Sequence, residues 1–68
     1  MKDWFKLYAT TNQAEASIIK GMLEENNVPV FIMNKQDSSY LNFGEVEVYV
    51  PHNLKEIAQS LLNKTLMN

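Results

Sequence analysis

Apolar and polar residues along this chain keep changing their period, and each change marks an element. In WFKLYAT, Trp4 to Thr10, they alternate: Phe5, Leu7 and Ala9 share one side, and Trp4, Lys6, Tyr8 and Thr10 share the other. A period of two is that of a strand, and the lysine in the second set turns the first set toward the core. From Asn12 the period lengthens. At about 100° per residue, Ala14, Ile18, Met22, Ile19, Leu23 and Ala16 fill one side of a helix, with Ser17, Lys20, Glu24 and Glu25 opposite. Asn12 is placed as its N-cap, and Glu15 to complete a capping box. Asn26 and Asn27 can adopt the left-handed conformation that ends a helix, and Pro29 bars its continuation. Gly21 sits at the margin of the apolar side, where it costs about 1 kcal/mol relative to alanine. It is either a point of close approach by a second helix or a tolerated glycine.

Alternation returns from Val28 to Met33, with Val28, Val30 and Ile32 on one face and Phe31 and Met33 on the other. Pro29 cannot donate to a ladder, so this strand lies at a sheet edge or pairs only beyond the proline. EVEVYVP, Glu45 to Pro51, is the clearest strand, with Val46, Val48 and Val50 inward and Glu45, Glu47 and Tyr49 outward. A second helix follows, in which Leu54, Ile57, Ala58, Leu61, Leu62 and Thr65 form one apolar face. Asn53 and Glu56 are spaced for a second capping box.

The order is strand, helix, strand, strand, helix. A right-handed crossover leaves a gap between the first two strands, and the third fills it antiparallel to both. The expected architecture is therefore α+β: a ferredoxin-like split βαβ with a three-stranded antiparallel sheet ordered 1-3-2 and both helices on one face. At 68 residues the chain is expected to be a single domain, 1–68. Such a chain buries only about 60% of its unfolded surface, so self-association would add to its stability.

Composition narrows the chemistry. Hydrophobic residues make up 46% of the chain, which suits a folded globule, and a net charge of −2 is too small to steer it toward nucleic acid or anionic lipid. With no cysteine there is no disulfide, thiolate or cysteine-based zinc chemistry. Neither a signal peptide nor a membrane span is evident, so a cytoplasmic location is expected. His52, the only histidine, has no companion ligands and reads as a solvated residue ahead of the second helix. Ser38 and Ser39 could meet it as nucleophiles, but they lie in a polar segment without an oxyanion motif. Two glycines cannot build a phosphate-cradling loop. These features argue against an enzyme, a metal or a cofactor.

The segments LYATTNQAEASIIKGMLEENNVPVFIMN and VEVYVP together resemble the small bacterial family of putative signal-transducing proteins, a domain of unknown function. Ala14-Glu15-Ala16, Lys20 to Glu24, Val28-Pro29 and the valines of VEVYVP carry most of the likeness. The resemblance implies a ferredoxin-like topology, distantly like that of nitrogen-regulatory signal proteins, and no catalytic residues. In those relatives the loop corresponding to 34–44 contacts partners.

With both helices on one side, the other side of the sheet is expected to collect Trp4, Tyr8, Phe31, Met33 and Tyr49. A contiguous exposed aromatic set marks a contact surface. The face could dimerise, stack single-stranded RNA bases, or be covered by Tyr40, Leu41 and Phe43 of the chain's own loop. RNA is disfavoured, because Glu45 and Glu47 would repel phosphates and the chain contains no arginine. The segment 34–44 is long for a hairpin loop, and Asn34, Lys35, Asp37 and Tyr40 are its candidate contacts. The functional expectation is a non-enzymatic interaction module that binds a protein partner or weakly self-associates. The alternative is a small-ligand-sensing regulatory domain.

Overall fold

The computed structural model describes residues 3–35 and 44–66. Its elements are β1 (Trp4–Thr10), α1 (Gln13–Glu25), β2 (Phe31–Lys35), β3 (Glu45–Pro51) and α2 (Lys55–Leu66). The three strands form one sheet in the order β1-β3-β2, with β3 antiparallel to both neighbours. This is the expected α+β arrangement. β2 starts only after Pro29, as the missing N–H of that residue requires.

The helix ends are encoded locally. Asn12 Oδ1 accepts from the Glu15 backbone N–H at 3.1 Å, so the N-cap forms as expected. The reciprocal arm of the capping box is replaced by Thr10. Its hydroxyl oxygen accepts from the Asn12 N–H at 3.0 Å and donates to Glu15 Oε1 at 2.7 Å. At the other end Asn27 takes a left-handed φ of 63°. The Val28 N–H then reaches the Leu23 carbonyl at 2.9 Å, and the Asn27 N–H reaches that of Glu24 at 3.1 Å. This is a Schellman motif, closed by burial of both Val28 and Leu23. The second helix differs from expectation. A 3-10 turn over His52–Leu54 leads off β3 without a side-chain cap, so Asn53 sits inside that turn and not at a cap position.

The core is narrow. Val46, Val48 and Val50 of β3 meet Ala16, Ile19 and Leu23 of α1 and Ala58 and Leu62 of α2. The small Ala16 and Ala58 let the helices lie close to the sheet. Each helix buries a thinner stripe than its sequence predicts. Ile18 is 62% exposed and Ile57 54%, because three strands offer too little width to cover them. Gly21 is exposed, and a Cβ added there would meet nothing within 4 Å, so no close approach requires it.

Candidate functional site

The strand register decides which side chains share the helix-free face. Lys6 of β1 lies opposite Tyr49 of β3, which lies opposite Phe31 of β2. One step along, Ala9, Glu47 and Met33 are aligned in the same way. Trp4 joins at the end of the sheet. Its ring centroid is 5.9 Å from that of Phe31, and Phe31 is 6.1 Å from Tyr49. Both separations fall in the range where tilted aromatic rings attract. Trp4, Met33 and Tyr49 are half-buried and Phe31 is 39% exposed.

Tyr8 is absent from this group. The pairing of β1 with β3 shifts between Lys6 and Tyr8, so Leu7 is an extra residue and Tyr8 lies opposite Val48. A β-bulge of one residue sends every later side chain to the opposite face. Tyr8 therefore packs against the core under the helices, and Ala9, expected inside, is exposed. Burial, then the charge of Glu15 and a hydrogen bond to it, hold the Tyr8 hydroxyl above its ordinary pKa.

Glu47 departs from expectation in a different way. It does lie on the helix-free face, yet it is only 1% exposed. Tyr49 donates its hydroxyl to Glu47 Oε1 at 2.9 Å, and the Lys6 ammonium lies 3.4 Å from Oε2. A buried carboxylate needs such partners, since desolvation without them costs several kcal/mol. The group expected to repel an approaching surface is thus buried and hydrogen-bonded within that face. Glu45 remains exposed.

Of the loop candidates, Asn34 belongs to β2 and faces the helix side opposite Val46, and Lys35 closes the strand opposite Glu45. Asp37 and Tyr40 lie outside the described residues, as do Ser38, Ser39, Leu41 and Phe43. His52 is exposed, with its ring edge-on to Phe5 at 5.6 Å, while the Lys55 ammonium stands 5.5 Å from the centroid of the same Phe5 ring. Among the described residues no three His, Asp or Glu side chains gather as a metal site would require. No described helix is long and apolar enough to cross a membrane.

A feature not anticipated from the sequence is an open groove of about 330 Å³ between α1 and β2. Its floor is Ala16, Ile32 and Val46, and its rim is Gln13, Ser17, Lys20 and Asn34. Among the described residues α1 packs chiefly over β1 and β3, and the groove lies where its Gln13, Ser17 and Lys20 side borders Ile32 and Asn34 of β2. The sequence marks the polar rim but not the groove. Gln13, Ser17 and Lys20 recur at helical spacing beside the apolar stripe, and Asn34 interrupts the inward alternation of β2.

No curated protein and no solved structure is significantly similar to the chain. Residues 4–65, which span every strand and nearly all of the last helix, match the model of the family described as "Putative prokaryotic signal transducing protein", and the chain belongs to that family.

Proposed function

We propose that the protein is a non-enzymatic interaction module that engages a protein surface through Trp4, Phe31, Met33 and Tyr49, weak self-association being the simplest case. The observation that carries this reading is the ring row Trp4–Phe31–Tyr49, contiguous across three strands on the face without helices. A large side chain moved from full exposure to full burial contributes about 1.5–3 kcal/mol. These side chains are already half-covered, so the patch supports a transient contact, one that barely offsets the entropy of association. Reversible contact of that kind suits the signalling role in the family's description.

The test is sedimentation velocity across a concentration series, comparing the parent with Trp4→Ala/Phe31→Ala. The parent should show a concentration-dependent shift toward dimer, or capture a partner that the double variant loses, with helix content unchanged. A parent that stays monomeric at all concentrations, with Trp4 emission and quenching typical of a buried indole, would overturn the reading. The groove beside α1 favours a second reading, that the module also senses a small ligand.

A further inference from the structure

We propose that the groove between α1 and β2 binds a small monocarboxylate carrying an amide or hydroxyl group, with the carboxylate on Lys20. The inference rests on the ligand-sensing reading and gives its ligand a chemical class. Among the described residues, no hydrogen bond or ion pair engages the side chain of Gln13, Ser17, Lys20 or Asn34; the one ion pair is Lys6–Glu47. Four polar groups with unused bonding capacity thus ring a single apolar floor. A few convergent polar groups over apolar walls is the ordinary make-up of a small-molecule site, and the volume lies at the small end of that range.

The charge and donor set select the ligand. Among the described residues the lining holds one cation and no acid, which complements a single negative charge. Two carboxamides and a hydroxyl can each donate and accept, which suits an amide or hydroxyl on the ligand. A phosphate dianion calls for a second cation, and Lys20 is the one cation among the described lining residues. An organic cation would find no carboxylate or aromatic wall among the described residues. The apolar floor accommodates a short aliphatic stem.

The position of the groove also links it to the aromatic face. Ile32 and Asn34 line the groove, while Phe31 and Met33, their alternates on the same strand, belong to the opposite face. A ligand that fixes β2 from one side therefore bears on the aromatic row from the other.

The experiment is a titration of the ¹⁵N-labelled full chain, followed by its amide spectrum, with sodium succinamate, neutral succinamide and inorganic phosphate at matched ionic strength. Succinamate should give saturable shifts at Gln13, Ser17, Lys20, Ile32 and Asn34, with smaller shifts at Phe31 and Met33. Lys20→Ala should weaken binding by about tenfold or more, and Lys20→Arg should retain most of it. Lys20 is exposed, and an otherwise unchanged spectrum would confirm that the variant folds. No saturable shift with succinamate, an affinity indifferent to Lys20→Ala, or tighter binding of phosphate would overturn the proposal. Equal binding of succinamide at the same residues would also overturn the carboxylate assignment, while leaving the ligand-sensing reading in place.

Discussion

Replacing Tyr49 by phenylalanine removes one oxygen and tests what holds a carboxylate inside this sheet. Glu47 is 1% exposed, and the Tyr49 hydroxyl reaches it at 2.9 Å. A hydrogen bond to a charged group contributes about 1.5–3 kcal/mol net, and its loss inside the protein falls at the upper part of that range. The Lys6 ammonium is a second partner of the same carboxylate. It stands farther away, at 3.4 Å, with 54% of its side chain in solvent, so screening reduces it to about 0.2–1 kcal/mol. Tyr49→Phe should therefore cost more than Lys6→Met, which keeps the aliphatic stem. Glu47→Gln leaves an acceptor for Tyr49 but only a neutral one, worth about 0.5–1.5 kcal/mol. The double-mutant cycle of Tyr49→Phe with Glu47→Gln should thus show a coupling of about 1 kcal/mol, the difference between a charged and a neutral acceptor. Urea unfolding followed by circular dichroism measures all four species. At this chain length 1 kcal/mol also moves the thermal midpoint by about 4–8 °C. A coupling below about 0.3 kcal/mol, or a Lys6→Met cost exceeding that of Tyr49→Phe, would refute the assignment.

Gly21→Ala should stabilise the protein by about 0.5–1 kcal/mol, since the site is helical, exposed and open around the added methyl. A lower midpoint on urea unfolding would show that the backbone needs glycine there after all. Tyr8 gives a prediction in pH. Its hydroxyl titrates above the usual 10.0 when folded, so folding favours the protonated phenol. That contribution is full below the unfolded value and is lost as the pH rises through the folded one. Tyr8→Phe should consequently flatten the alkaline fall in stability, and an unchanged alkaline slope would count against the Tyr8–Glu15 contact.

The elements, their order and the sheet topology were legible in the residues, because each rests on local or periodic information. Alternating valines make β3, two asparagines and a proline end α1, and a right-handed crossover leaves one place for the third strand. The likeness to a signal-transducing family was legible for the same reason, being spread over those positions. Three features were decided only by the tertiary structure. The bulge at Leu7 moved Tyr8 under the helices; strict alternation cannot reveal an extra residue, because bulges are settled by how two strands pair. Glu47 reads as a solvated carboxylate from its place in the alternation. Its burial and its contact with Lys6, more than forty residues earlier in the chain, follow from how the strands pair, which alternation within one strand does not reveal. The groove depends on where α1 comes to rest. Helical spacing fixes which residues share a side of a helix, but only packing decides which strands that side covers, and here the groove lies between Lys20 and β2.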